Sequence, residues 1–136
     1  MELRYYLQLK QPAPILPCRN LTSFSVIYRH IETRNEALKF SSWIRRAITS
    51  SSGSLQSLRL CCADDPQGGA NVSFDSLASH ITAKHYTTLR FLDMRATFIG
   101  DESFKRICQT CVHLEEFFVG ISLDALVRWV LVFSVR

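Results

Sequence analysis

Several cysteines and histidines are spaced in ways that could support chemistry. Cys108, Cys111 and His113 form the pattern Cys-x-x-Cys-x-His, and a second cysteine pair lies at Cys61 and Cys62. Thiolate and imidazole groups form the tetrahedral ligand shell of zinc, so this spacing raises a zinc site as one alternative. A zinc site needs four converging ligands, however, and Cys108 and Cys111 occupy inward positions of a predicted helix. The sequence therefore favours structural cysteines, and we expect no metal and no other cofactor.

Hydrolytic catalysis is the second chemistry to weigh, and it requires a nucleophile, a base and an orienting acid in one cleft. The histidines at positions 30, 80, 85 and 113 occupy dissimilar places in the chain, and the sequence has no Gly-x-Ser-x-Gly motif. His80 and His85 are expected on the surface of one helix. The loop from Asp64 to Gly69 lacks the lysine of a phosphate loop and the spacing of a calcium loop. We therefore predict a protein that is not an enzyme.

The composition describes one ordinary domain: 136 residues, 47% hydrophobic, with a formal net charge of +4. The basic residues are spread along the chain and give no strong electrostatic reason for nucleic-acid binding. Five cysteines and no secretory signal after Met1 favour free thiols in a reducing compartment, the cytoplasm or the nucleus. The most apolar run, residues 121–135, is shorter than the roughly 20 residues that span a bilayer, so we expect no membrane partner.

A repeated hexad organises the chain. In each copy the first, fourth and sixth residues are apolar, as in Leu21, Phe24 and Val26, and the first positions are 34, 34 and 25 residues apart. The copies lie at residues 21–26, 55–60, 89–94 and 114–119. Two equal periods with all three apolar positions aligned indicate an internal repeat rather than chance clustering.

Between the hexads the apolar spacing becomes helical, with residues at i, i+3, i+4 and i+7. The residues in this pattern are Phe40, Trp43, Ile44, Ala47, Phe74, Leu77, Ala78, Ile81, Phe104, Ile107, Cys108 and Cys111. Asn35, Ser73 and Asp101 are expected to cap the starts of these helices, and Gly53 follows the first helix as a stop signal. Each unit is therefore a strand followed by a helix, which can bury its apolar face only by stacking on its neighbours.

We predict a single domain of residues 1–136 in the α/β class, in which parallel strands pair and helices pack alongside. An extra strand is expected at residues 5–9, with a proline-rich link in place of its helix. An apolar helix is expected at residues 121–135. Because a terminal repeat normally has a polar outer face, this helix indicates a fragment of a longer protein or a surface that a partner covers.

The segment from Thr88 to Phe117 resembles the leucine-rich repeat of the cysteine-containing class, which is found in F-box proteins, including many fungal ones. The likeness covers residues 18–120, and Cys111 matches the buried structural cysteine of that class. The resemblance implies a leucine-rich-repeat solenoid with a curved parallel sheet on its concave side and helices on its convex side. It also implies a protein that grips a substrate for ubiquitin ligation. The F-box segment that docks on the ligase adaptor is not visible in the sequence.

Strand alternation predicts which side chains lie on the face of the sheet away from the helices. They are Ser23, Ser25, Ile27, Ser57, Arg59, Cys61, Phe91, Asp93, Arg95, Glu116 and Phe118. We expect Phe91 and Phe118 to anchor a bound protein, because aromatic residues carry much of the binding energy at interfaces. Arg59, Asp93, Arg95 and Glu116 would set the register around them. Alternatively, a loop covers the two rings or they are exposed singly.

These observations predict a non-catalytic module that binds a protein or peptide, since a shallow sheet lacks the closed pocket that small ligands need. The resemblance implies the substrate-recognition part of an F-box-type ubiquitin ligase receptor, with ligase subunits as further partners. One alternative is a leucine-rich-repeat scaffold without ligase attachment. Another is a nucleic-acid-binding solenoid that uses a basic convex face formed by Arg45-Arg46, Lys84-His85 and Lys105-Arg106.

Overall fold

Strands and helices alternate along the chain in the computed structural model, which describes residues 2–5, 20–29, 31, 33–50, 54–63 and 73–120. Within these residues the elements are β1 (Glu2–Tyr5), β2 (Ser23–Tyr28), α1 (Arg34–Ser50), β3 (Ser57–Cys62), α2 (Asp75–Lys84), β4 (Phe91–Phe98), α3 (Asp101–Thr110) and β5 (Glu116–Gly120). The change from strand to helix after the first three hexads is confirmed, and so is the α/β class.

The strands form one parallel sheet in the order β1-β2-β3-β4-β5. Its register places Phe24 beside Leu58, Leu58 beside Leu92, and Leu92 beside Phe117. These four residues occupy the fourth position of the four hexads, so the predicted alignment of the repeats is confirmed. A parallel pair of strands needs a crossover connection, and α1, α2 and α3 lie in the connections between successive strands from β2 to β5.

Helices and sheet share one apolar core. Alternate residues of β2, β3 and β4 are buried: Phe24, Val26, Tyr28, Leu58, Leu60, Cys62, Leu92 and Met94. Aromatic rings join this layer to the helices, with ring centroids 4.5 Å apart for Tyr28 and Phe40 and 5.5 Å apart for Phe104 and Phe117. Phe40 on α1 also meets Phe74, which precedes α2, at 5.7 Å. The core therefore continues from one strand–helix unit into the next.

Two of the three helix starts differ from those expected. Thr33, not Asn35, caps α1, because its hydroxyl accepts the Glu36 N–H while the Glu36 carboxylate accepts the Thr33 N–H, both at 3.2 Å. This reciprocal arrangement satisfies two amide groups, whereas a single cap satisfies one. The Ser73 hydroxyl accepts the N–H of Asp75, the first residue of α2, at 3.3 Å, so Ser73 satisfies an amide group at this helix start as expected. Gly100 precedes α3 without a side-chain cap, and Asp101 is the first residue of that helix and not its cap.

Asp75 connects the start of α2 to the start of α3. Its carboxylate accepts a hydrogen bond from the Gly100 N–H at 2.9 Å and another from the Ser73 hydroxyl. Burial alone would raise the pKa of Asp75, but hydrogen bonds from Ser103, Ser73 and Gly100 outweigh it and lower the pKa. The carboxylate thus stays charged while it joins two neighbouring units.

Some predicted segments have a different position or are not described. The first strand is Glu2–Tyr5, which shares only Tyr5 with the expected strand at 5–9, because residues 2–5 pair with Ser25–Tyr28. Residues 6–9, the apolar segment 121–135, the Asp64–Gly69 loop, His30 and Gly53 lie outside the described residues. Among the described helices, none is long and apolar enough to cross a membrane.

The stacked core predicts unequal costs for two leucine truncations. Leu58→Ala should lower the free energy of unfolding by about 3 kcal/mol, because Leu58 is fully buried between neighbouring strands. Leu38→Ala is the matched control, since 61% of Leu38 is exposed on α1, and it should change stability by less than about 0.5 kcal/mol. Urea unfolding followed by circular dichroism measures both values. Equal losses would contradict this account of the core.

Candidate functional site

Five of the six predicted site residues form one group on the sheet face that points away from the helices. We call Arg59, Phe91, Asp93, Arg95 and Phe118 the aromatic–arginine cluster. They lie on β3, β4 and β5, where the register sets Arg59 beside Asp93 and Asp93 beside Phe118. Phe91, Asp93 and Arg95 alternate along β4 and therefore share one face. Sheet pairing thus places three strands' side chains in contact.

Asp93 lies at the centre of the cluster, and only 2% of its side chain is exposed. Its carboxylate accepts two hydrogen bonds from the Arg95 guanidinium, from Nε at 3.0 Å and from Nη2 at 2.8 Å. The Arg59 Nε lies 3.7 Å from the same carboxylate and forms an ion pair with it. A bidentate guanidinium–carboxylate pair is among the stronger hydrogen-bonded arrangements in proteins. Asp93 therefore holds both arginines over the sheet.

Each arginine also lies over an aromatic ring. The Arg59 Cζ is 5.1 Å from the centre of the Phe91 ring, and the Arg95 Cζ is 4.8 Å from the centre of the Phe118 ring. The two rings are 5.9 Å apart and inclined by 51°. A guanidinium at this distance is attracted by the negative face of the ring. The phenylalanines are therefore not exposed singly, because they contact each other and two cations.

The charge state of Asp93 follows from its surroundings. Burial would raise its pKa, but the hydrogen bonds and positive charge of Arg95, together with the charge of Arg59, lower it below the ordinary value of 3.8. The side chains of Arg59 and Arg95 are 50% and 57% exposed. The cluster thus has a buried negative charge beneath two positive groups that reach solvent.

Glu116 is the predicted site residue that the structure leaves outside the cluster. It is exposed on β5 and lies beside Phe91 in the register. Within the described part of the chain it forms no ion pair with Arg59 or Arg95. Its expected role in setting the register around the aromatic residues has no contact to support it.

Only one of the two cysteines expected to point inward from α3 and its end is buried. Cys111 is buried, but Cys108 is exposed, so the prediction that both point inward is wrong for Cys108. The reason is that α3 covers the core with Phe104 and Ile107 and turns Cys108 away from it. Cys61, Cys62, Cys108 and Cys111 are free thiols. Among the described residues, no group of three or more potential ligands is placed to hold a metal ion.

His80 and His85 are not the surface pair expected. His85 is only 6% exposed, and its ring meets the His80 ring edge to face with centroids 6.0 Å apart. Burial lowers the pKa of both imidazoles, with the charges of Arg45 and Lys84 adding to the effect on His80. The helical spacing could not predict the burial of His85, because this residue follows the last turn of α2, where its backbone N–H bonds to Ile81 and its carbonyl accepts from Thr88 and Leu89.

The basic ridge that the nucleic-acid alternative requires is interrupted. His85 is buried, and the Lys105 ammonium donates a hydrogen bond to Glu102 at 3.3 Å. Arg45, Arg46, Lys84 and Arg106 are exposed. The helices therefore present fewer unpaired cations than the pairs of basic residues in the sequence indicate.

Comparisons of the chain with protein-family models, with curated proteins and with solved structures find no match.

The buried carboxylate predicts acid sensitivity. Because the pKa of Asp93 is lowered in the folded chain, its stabilising effect is present above about pH 4 and is lost as the pH falls through the folded pKa. Asp93→Asn should therefore be less stable than wild type at pH 7, and the difference should shrink below pH 4. Glu115→Gln is the control, since it removes an exposed ion pair with Arg90 and should change stability little at either pH. Urea midpoints from pH 3 to 7 test this, and a constant Asp93→Asn difference would contradict it.

The buried His85 predicts a second pH dependence, nearer neutrality. The unfolded chain binds protons with a pKa near 6.5, whereas burial lowers the pKa of His85 in the folded chain. The free energy of unfolding should therefore fall as the pH falls from about 7 through the folded pKa. His85→Gln should reduce this slope between pH 7.5 and 5, and the exposed His113→Gln should retain it. Equal slopes in the two variants would show that His85 does not carry the effect.

Proposed function

We propose that this chain is a leucine-rich-repeat solenoid that acts as a non-catalytic protein-binding module. Four hexads in register and an all-parallel sheet support the repeat architecture. In this proposal the face that carries the aromatic–arginine cluster is the concave side, and α1, α2 and α3 lie on the convex side. The buried position of Cys111 agrees with the cysteine-containing class of repeat.

The observation that carries the proposal is the construction of the aromatic–arginine cluster. Arginine and aromatic residues are enriched where binding energy concentrates in protein interfaces. Here Asp93 and the two rings hold Arg59 and Arg95 in place before any partner binds. A preorganised side chain loses less conformational entropy on binding, so more of its contact energy appears as affinity. The open face of a sheet suits an extended peptide or protein segment better than a small ligand.

The resemblance to F-box repeat proteins extends this proposal. We infer that the partner is a substrate for ubiquitin ligation and that the chain is the recognition part of a fungal-type receptor, or a fragment of one. The free thiols fit a reducing compartment, the cytoplasm or the nucleus. A scaffold without ligase attachment is the alternative, and the two differ in whether the chain recovers ligase subunits. The interrupted basic ridge gives less support to nucleic-acid binding.

Selection from a displayed library of random peptides tests protein binding. The intact chain should select peptides that a triple variant, Phe91→Ala with Arg95→Ala and Phe118→Ala, binds at least about tenfold more weakly, since each change removes an interface anchor. Ser42→Ala with Leu38→Ala, on α1, is the control and should bind as wild type does. Circular dichroism confirms that each variant is folded.

Two results would contradict the proposal. One is a triple variant that retains the selected peptides, and the other is an intact chain that selects none. Affinity capture with the intact chain then separates the two forms of the proposal, because recovery of ligase subunits supports a receptor and their absence supports a scaffold.

A further inference from the structure

We propose that the aromatic–arginine cluster recognises the side-chain carboxylate of an Asp or Glu in a bound peptide, and that Asp93 is the residue that positions Arg59 and Arg95 for it. This inference rests on the proposed protein-binding function. It adds the chemistry of the group that the site selects.

The first support is the charge of the cluster. Two guanidinium groups face one carboxylate, so one positive charge is left uncompensated. Asp93 is buried, whereas both arginines are about half exposed. The excess positive charge is therefore presented to solvent, where a single carboxylate would balance it.

The second support is the set of N–H groups that Asp93 leaves available. A guanidinium has five N–H donors in a planar fork. Arg95 directs Nε and Nη2 at Asp93, which leaves its Nη1 group facing away from that carboxylate. Arg59 approaches Asp93 at 3.7 Å, beyond hydrogen-bond distance, so its donors remain for another acceptor. Such donors match the two oxygens of a carboxylate.

The third support is the packing of the arginines against the rings. Free arginine side chains lose conformational freedom when they are immobilised, and this loss opposes binding. The Phe91 and Phe118 rings and the Asp93 carboxylate already restrain both of them. The outer edges of the rings also offer apolar contact to the residues that flank the acidic one.

Glu116 favours a carboxylate over a phosphate group. It is an exposed residue beside Phe91 in the register, without an ion pair in the described part of the chain. A phosphoserine carries nearly two negative charges at pH 7 and would be repelled more strongly by Glu116 than a carboxylate would. The same argument disfavours a nucleic-acid backbone, which brings many negative charges to the face.

The test compares matched peptides on the intact chain. A library-selected peptide with an acidic residue is resynthesised with Gln in place of Glu, or Asn in place of Asp. The acidic form should bind at least ~10-fold more tightly, as expected for hydrogen bonds to a charged group. Arg95→Lys should lose most of this preference, because lysine keeps the charge but not the planar fork. Arg90→Lys is the matched control at an exposed arginine outside the cluster, and it should keep the full preference.

Variants of Asp93 test its role in positioning the two arginines. Asp93→Asn should weaken the acidic peptide while changing the affinity for the amide peptide little, because only the first needs both guanidinium groups in position. Asp93→Glu, which restores the carboxylate, should recover part of the preference. A structural role alone would weaken both peptides equally. If Asp93→Asn does not fold, the Arg95→Lys comparison still decides the proposal.

The outcomes separate this inference from the proposed function. Equal affinities for the acidic and amide peptides, with both lost in the triple variant, would overturn the carboxylate proposal and leave protein binding intact. Tighter binding of a phosphoserine peptide or of a single-stranded oligonucleotide would also overturn it. Retention of both peptides by the triple variant would overturn the proposed function itself.

Discussion

A strand with one flanking helix cannot remove its apolar face from water, and the rest of the structure depends on this constraint. A neighbouring unit supplies the missing cover, and it does so in a fixed position because parallel strands pair residue by residue. Phe40 shows the result, since its ring meets Tyr28 in the strand before it and Phe74 at the start of the following helix. The core is formed between neighbouring strand–helix units, so the stability of each unit depends on the units beside it.

The same stacking creates the open face of the sheet that carries the aromatic–arginine cluster. The helices cover one side of the sheet. The strand side chains that point to the other side therefore have no helix to pack against. Parallel pairing then brings residues that are far apart in the chain into one row, such as Arg59, Asp93 and Phe118. In this row a carboxylate can be buried on the open side of the sheet, because two arginines form ion pairs with it.

The sequence predicted those features that a simple period encodes. The hexads foretold which strand residues would align, and the helical spacing foretold where α1, α2 and α3 would lie. The helix ends were harder to predict from the sequence. Several polar residues near the start of α1 could serve as its cap, and the structure uses the reciprocal hydrogen bonds between Thr33 and Glu36. Cys108 was misplaced because α3 buries Phe104 and Ile107 but not Cys108, so a narrower stripe of this helix is covered than the apolar spacing alone suggests.

At the site, too, the sequence predicted where residues lie but not which of them are in contact. Alternation placed all six predicted residues on one face, but it carries no information about which side chains meet. Glu116 and Phe118 lie two positions apart on β5, which separates their rows by about 7 Å, and only Phe118 shares the row of Asp93. A carboxylate one row away cannot take the place of the buried one, so the two acidic residues on this face have different roles. Asp93 holds the arginines from beneath, whereas Glu116 is exposed beside Phe91 and, in the proposed binding mode, would repel a partner that brings more than one negative charge.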